Sequence, residues 1–129
     1  ALGIGSASSG QYSSSDIYLL AKVIAAEARG EPYIGQVAVG AVVLNRVQHA
    51  SFPDSIAGVV YQPGAFSCVN DSNWSTEPTA QSRKAAQDAI NGWDPSGGAI
   101  YYYNPAKTSN KWIRTRPVIQ TIGAHVFCK

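Results

Sequence analysis

The sequence contains no methionine, only two cysteines and no long apolar run among its 129 residues. Because even a first methionine is missing, we expect a mature or trimmed chain. No run reaches the roughly 18 apolar residues that a membrane-spanning helix needs. Cys68 and Cys128 are too few and too far apart for a CxxC metal or redox motif. They are either free buried thiols or one disulfide that closes a long loop.

Acidic residues are missing after Asp94, whereas five basic residues follow it. Residues 95–129 therefore carry a formal charge of +5, and residues 1–94 carry −3. The total is only +2, which argues against a dedicated nucleic-acid-binding protein. The basic third could hold an anionic polymer or could be a solvated loop, and the sequence leaves both interpretations open.

The composition is that of one domain preceded by a Gly/Ser-rich segment. Residues 1–15, ALGIGSASSGQYSSS, are uncharged and poor in apolar groups, as in a flexible linker or tail. A chain of this length can bury roughly two-thirds of its unfolded surface. We therefore predict a linker or tail over residues 1–15 and one folded catalytic domain over residues 16–129.

Apolar periodicity predicts several helices in the first three quarters of the chain. The predicted helices span residues 17–28, 32–47, 54–60 and 77–91. Asp16 is the expected N-cap of the first helix, and Thr76 is the expected cap of the last. VAVGAVVL in the second helix could be a buried strand, but its length and the start at Pro32 favour a helix. AIYYYN and PVIQTIGAHVF are typical of short strands. The prediction is an α+β domain, mostly helical, with a small C-terminal sheet.

Glu27 interrupts the apolar stripe of the first predicted helix. It lies seven residues after Leu20 and three after Ile24, so it shares their face. Burial and the negative end of the helix dipole both favour a protonated carboxyl there. A general acid for glycoside cleavage needs that form. From position alone, Glu27 is either such an acid or a structural residue bonded to Arg29, Arg46 or a backbone amide.

Four motifs along the chain carry a family resemblance. EARGEPYIGQVAVGAVVLNRV, FPDSIAGVVYQPGAFS, GWDPSGGAIYYYNP and IGAHVF occur in that order. Together they resemble the spore cortex-lytic, cell-wall hydrolase family of the SleB/CwlJ type, most closely its SleB-like catalytic domains. The resemblance runs from about Asp16 to Lys129. It implies a lysozyme-like fold related to lytic transglycosylases, with Glu27 of EARGEP as acid and base and with no metal or nucleotide cofactor.

The resemblance also implies a substrate and a setting. Its members cut the muramic-lactam-containing cortex peptidoglycan of endospores during germination and leave 1,6-anhydro ends. We therefore expect an extracytoplasmic protein of the cortex or of the inner-membrane/coat region, acting as a monomer on glycan strands. An accessory or inhibitory spore protein is a further expected partner, whereas nucleic acid and a membrane span are not expected.

Glu31 is the second carboxylate of the EARGEP motif. One more helical turn would bring it beside Glu27, and two carboxylates would permit hydrolysis. Gly30 and Pro32 flank it, so we expect the helix to break there. Glu31 would then cap the next helix, pair with a basic side chain or contact substrate. With one carboxylate, Glu27 would protonate the leaving oxygen and then deprotonate the muramic 6-hydroxyl. The other candidate partners of Glu27 are Asp71 and Asp94.

A glycan site needs flat apolar faces beside hydrogen-bonding groups. Alternation along a strand places Tyr102 on one face and its two neighbouring tyrosines on the other. For each candidate the alternative is a purely structural role. The predicted substrate contacts are Glu31, Gln36, Phe66, Trp74, Tyr102, Asn104, Trp112 and His125.

Other function classes remain open at this point. A cysteine amidase or peptidase of the wall would use Cys68 as nucleophile and His125 as base, although FSCVN lacks a helix N-terminal setting. A metal hydrolase is disfavoured because the two histidines are isolated and no HExxH motif is present. A lysozyme-type muramidase would hydrolyse the same bond. A non-catalytic wall-binding domain would not place Glu27 in an open groove.

Overall fold

The computed structural model describes residues 12–75 and 77–129. The helices in this part are α1 (Ser14–Glu27), α2 (Tyr33–Gln48), α3 (Ile56–Val60) and α4 (Ala80–Ile90). The strands are β1 (Tyr101–Tyr103), β2 (Val118–Ile122) and β3 (His125–Cys128). Short 3₁₀ helices cover Ser67–Asn70, Ser72–Ser75 and Ile113–Thr115. The predicted α+β class, mostly helical with a small C-terminal sheet, is confirmed.

The first helix starts three residues before the predicted position. Ser13 Oγ accepts a hydrogen bond from the Asp16 amide at 3.1 Å, and Asp16 Oδ2 accepts one from the Ser13 amide at 3.1 Å. This is a capping box, in which Asp16 is the third helical residue and Ser13 is the N-cap. The prediction of Asp16 as N-cap is therefore wrong. Ser14 and Ser15, which were predicted to belong to the linker, are helical. Residues 1–11 lie outside the described part, so a linker there stays a prediction.

The second helix is the centre of the core. Every residue from Gly35 to Leu44 is buried, which is typical of a helix that is apolar on all sides. It packs against α1, α3 and α4. A Cβ atom at Gly40 would lie 2.9 Å from Ile24 Cδ1 and 3.4 Å from Ala89 Cβ. Glycine at position 40 therefore lets α1, α2 and α4 approach closely. The helical interpretation of VAVGAVVL is confirmed.

The fourth helix starts at Ala80, three residues after the predicted start at Glu77. Thr79 is its N-cap, because the Thr79 Oγ1 atom accepts a hydrogen bond from the Ser82 amide at 2.9 Å. The predicted cap, Thr76, lies outside the described residues. None of the described helices is long and apolar enough to span a membrane.

The three strands form an antiparallel sheet in the order β1-β3-β2. Tyr102 pairs with Phe127 across β1 and β3, and a register shift lies between Val118 and Gln120 in β2. The central strand is the most buried, and it ends at Cys128. Cys128 and Cys68 are both free and buried, so the disulfide alternative is not the form seen here.

Candidate active site

Glu27 is the last residue of α1, and its side chain is partly buried. The chain turns sharply after it through Gly30, whose φ of +78° suits glycine. The predicted helix break is therefore confirmed. The carboxylate faces a cleft of about 300 Å³. The other residues that line this cleft are Ala26, Arg29, Cys68, Asp71, Trp74 and Lys107.

Tyr102 donates its hydroxyl hydrogen to Glu27 Oε1 at 2.5 Å. Burial, and then the Glu27 carboxylate, raise the pKa of Tyr102 well above its usual value, so the hydroxyl remains a donor at neutral pH. The ring is held by His125 and Phe127, with centroids 5.0 and 5.8 Å away. Tyr102 was predicted to contact sugar. The structure places its hydroxyl on Glu27, and Tyr102 also lines a cleft together with Trp112, so the contact with sugar stays a prediction.

The Cys68 thiol lies beside the Glu27 carboxylate in the same cleft. Burial, and then the Glu27 carboxylate, raise the pKa of Cys68 to about 12. Such a thiol is almost wholly protonated at neutral pH, which removes the nucleophile that a cysteine peptidase would require. Nothing in the sequence indicated this contact, because residues 27 and 68 belong to separate elements that meet only in the folded chain.

Glu31 connects the turn after α1 to the turn between β2 and β3. Its Oε1 accepts a hydrogen bond from the Ala124 amide at 2.9 Å and lies 3.9 Å from His125 Nδ1. Pro32, the N-cap of α2, receives no side-chain cap, so the predicted capping role of Glu31 is wrong. A Cβ atom at Gly123 would lie 2.3 Å from Glu31 Oε1 and 3.0 Å from Pro32 Cδ, so a larger residue there would have to displace the Glu31 carboxylate. Glu31 thus binds the turn between β2 and β3 and lies near His125 without a hydrogen bond to its Nδ1 atom.

His125 is buried at the start of β3, with 7% of its surface exposed. Burial lowers its pKa, whereas the carboxylates of Glu31 and Glu27 raise it by less. Among the residues that the structure describes, its Nδ1 atom has no hydrogen-bond partner. The ring packs against Tyr102, so His125 supports the tyrosine that holds Glu27 and offers little surface to a sugar.

Two further clefts lie near the Glu27 cleft. Trp74 also lines a cleft of about 150 Å³ beside α1. On the other side, Tyr102 and Trp112 line a cleft of about 340 Å³. Trp74 lines two of the clefts. The Glu27–Tyr102 hydrogen bond joins a residue of the Glu27 cleft to a residue of the third cleft. We refer to the three clefts together as the groove. Of the predicted platforms, Trp74 and Trp112 lie in this groove, and Trp112 is 52% exposed.

Three other predicted contacts have structural roles. Phe66 is 4% exposed and packs in the core, so it presents no open face. Gln36 lines the small cleft, but its amide nitrogen is already bonded to the Glu31 carbonyl at 3.1 Å and to Gln81 Oε1 at 2.6 Å. Asn104 Oδ1 accepts a hydrogen bond from the Ala106 amide at 2.9 Å within a turn.

The remaining charged residues divide between the cleft and the scaffold. Asp71 lines the same cleft as Glu27, whereas Asp94 accepts hydrogen bonds from Asn45 and from turn amides. Lys107 lines the Glu27 cleft, but Arg114 donates to backbone carbonyls of its own loop. Within residues 12–75 and 77–129, no group of three histidine, cysteine or acidic side chains could hold a metal ion.

Known proteins resemble this chain along most of its length. A family model described as Cell Wall Hydrolase matches residues 30–128. The spore cortex-lytic enzyme of Bacillus cereus is 54% identical over 118 residues, which is 92% of this chain and 46% of that protein. The chain thus spans less than half of that relative.

Two solved structures also match. The crystal structure of the catalytic domain of the Bacillus cereus SleB protein is 54% identical with a TM-score of 0.87, and the match covers 92% of both chains. The catalytic domain of the germination-specific lytic transglycosylase SleB from Bacillus anthracis is 53% identical with a TM-score of 0.87. That match covers 92% of this chain and 97% of the other.

Proposed function

The chain belongs to the cell wall hydrolase family, and on that basis we propose that it cleaves the glycan strands of spore cortex peptidoglycan during germination. Glu27 is the general acid and base in this proposal. The observation that carries it is the position of Glu27, partly buried in the groove and held by the Tyr102 hydroxyl at 2.5 Å. Oriented carboxyl groups of this kind are what proton transfer to a glycosidic oxygen requires.

The proposed reaction is that of a lytic transglycosylase. Glu27 gives its proton to the glycosidic oxygen, and the bond from that oxygen to muramic C1 breaks. The Glu27 carboxylate then takes the proton of the muramic 6-hydroxyl, and O6 bonds to C1 to close a 1,6-anhydro ring. Water is not consumed, so the products are about 18 Da lighter than those of hydrolysis. The similar Bacillus anthracis protein, described as a lytic transglycosylase, supports this route.

A lysozyme-type muramidase is the second candidate, because Asp71 lines the same cleft as Glu27. Two carboxylates about 5–9.5 Å apart can hydrolyse a glycosidic bond with one as acid and the other as nucleophile or base. In that case water would enter the product. Muramic-lactam in the substrate, action outside the cytoplasm, a monomeric state and an accessory or inhibitory spore protein are parts of the same proposal.

Mass analysis of products from purified cortex peptidoglycan tests the proposal. The unchanged protein should release anhydro ends, and Glu27→Gln should release none while it melts at the same temperature. Asp54→Asn, which removes an exposed carboxylate, is the matched control. If the unsubstituted protein releases only reducing-end products, and Asp71→Asn releases none of them, the reaction is that of a muramidase instead. Absence of any product from the folded, unchanged protein would favour a wall-binding domain.

A further inference from the structure

Arg46 is a buried cation near the end of α2. It is 8% exposed, and its Nε donates a hydrogen bond to the Ile100 carbonyl at 2.7 Å. The preceding residue, Asn45, donates to the Ala99 carbonyl at 2.9 Å. Residues 99 and 100 lead directly into β1, the strand that carries Tyr102. Two consecutive helix residues therefore fix the start of this strand.

Aromatic rings surround the Arg46 guanidinium. Its central carbon lies 5.2 Å from the ring centroid of Phe52, 5.3 Å from that of Phe66 and 5.5 Å from that of Tyr101. Ring faces attract a cation and partly replace the water that it has lost. In the described part of the chain, no carboxylate forms an ion pair with it. The positive charge is thus held near the groove without being neutralised by direct contact.

The charge of Arg46 acts on the acid of the proposed reaction. Burial lowers the pKa of Arg46, whereas the neighbouring groups Tyr102, Tyr101 and Glu27 raise it. Arginine nevertheless stays protonated in proteins. A buried charge is often no more stabilising than an apolar residue of similar volume. The presence of arginine here is therefore better explained by its effect on the groove, which it lines together with Tyr102.

We propose that Arg46 is a positioning residue for Glu27, an inference that rests on the proposed function. Its bond to Ile100 holds β1 so that the Tyr102 hydroxyl stays on Glu27. Its charge favours the carboxylate that Glu27 becomes after it has protonated the leaving oxygen. That carboxylate is the form that removes the proton from the 6-hydroxyl.

Several titratable or charged groups face Glu27 from the elements around it. They are Tyr102 of β1, Cys68 of the first 3₁₀ helix, Arg46 of α2 and His125 of β3, with Arg29, Asp71 and Lys107 along the cleft. A test of Arg46 must therefore separate its charge from the packing of its side chain.

Two substitutions achieve this separation. Arg46→Met removes the charge and the donor, whereas Arg46→Lys keeps the charge. Arg83→Met is the control, because Arg83 is an exposed arginine of α4 that stacks 5.3 Å from the Tyr18 ring. Product formation from soluble cortex fragments is measured against pH, together with kcat, KM and the melting temperature.

We expect Arg46→Met to lower kcat by about tenfold or more with KM within about twofold, because the loss of two interactions in the acid's surroundings affects the chemical step. The limb on which kcat falls as pH rises, where Glu27 would lose the proton that it must donate, should move to higher pH. Arg46→Lys should have the same pH profile as the unsubstituted protein, and its kcat should fall less than that of Arg46→Met. Arg83→Met should match the unchanged protein in all of these measurements.

Unchanged kcat and pH profile in a folded Arg46→Met protein would overturn the inference, as would an equal loss and an equal pH shift in Arg46→Lys. If Arg46→Met does not fold, Arg46→Lys decides: reduced kcat with an unchanged profile supports the inference, and undiminished kcat overturns it. Glu27→Gln is assayed in parallel. If it remains active, the proposed function fails and this inference with it. If it is inactive, an unaffected Arg46→Met overturns this inference alone.

Discussion

Replacing Tyr102 by phenylalanine removes one hydroxyl group from beside Glu27 and leaves the ring in place. The ring contacts with His125 and Phe127 should persist, so the fold should be retained. The lost bond is a 2.5 Å hydrogen bond to a carboxyl group. Hydrogen bonds to charged groups contribute roughly 1.5–3 kcal/mol. At about 1.4 kcal/mol for each factor of ten, kcat should fall by about 12- to 140-fold if this bond orients the acid.

The control for this substitution is another tyrosine bonded to a carboxylate. Tyr33 donates to Asp88 Oδ2 at the same distance of 2.5 Å, and neither residue lines the three clefts described above. Tyr33→Phe should lower the free energy of unfolding by an amount similar to the energy of the hydrogen bond lost in Tyr102→Phe. It should leave kcat unchanged. Initial rates of anhydro product release, with unfolding curves for both variants, make the comparison. Tyr102→Phe activity within about twofold of the unchanged protein would refute an orienting role for the hydroxyl.

Three further outcomes follow from the buried groups and the turns. Maleimide at pH 7 should leave activity within about twofold over an hour, because burial and a pKa of about 12 keep the Cys68 thiol protonated; rapid inactivation would contradict this. Gly123→Ala should reduce the free energy of unfolding by roughly 3 kcal/mol, because it adds strain at φ +56° and displaces Glu31. Gly98→Ala, at φ +90° with open space around it, should lose only about 1–2 kcal/mol. Burial lowers the pKa of His125 below its value of 6.5 in the unfolded chain. As pH decreases through about 6.5, the unfolded chain therefore binds a proton that the folded chain does not bind. The free energy of unfolding should fall over this pH range. His125→Gln should weaken that dependence, and an identical dependence of melting temperature on pH would show that another group is responsible.

Local patterns predicted the secondary structure better than the element boundaries. The apolar run around α2 and the aromatic and β-branched segments near the C-terminus identified a helix and strands correctly. The start of α1 was missed because Ser13 and Asp16 share a capping box, so both residues carry cap signals. The start of α4 was missed because two threonines, Thr76 and Thr79, precede it and either residue type can cap a helix; the structure shows Thr79 as the N-cap.

Glu27, the acid of the proposed reaction, was singled out from sequence, but its surroundings could not be predicted. Glu27 stood out because a carboxylate lay on an apolar stripe and within a family motif. Its partners Tyr102 and Cys68 come from distant segments, and no periodicity links them. Phe66 was misassigned because an aromatic side chain in a loop can either cover the core or face a groove. The chain path decides which, and here it turns the ring inward.

The central strand of the sheet is made last. β1 gains its hydrogen-bonded neighbour only when residues 125–128 have been synthesised, because β3 lies between β1 and β2. Helices α1 to α3 are complete much earlier, and local contacts of this kind form faster than long-range strand pairs. During biosynthesis, Glu27 is therefore in place on its helix before Tyr102 can be fixed opposite it, 75 residues further along the chain. A nascent chain thus carries Glu27 before β3 can fix the strand that holds Tyr102 opposite it, so the activity proposed above requires residues 125–128 to be in place.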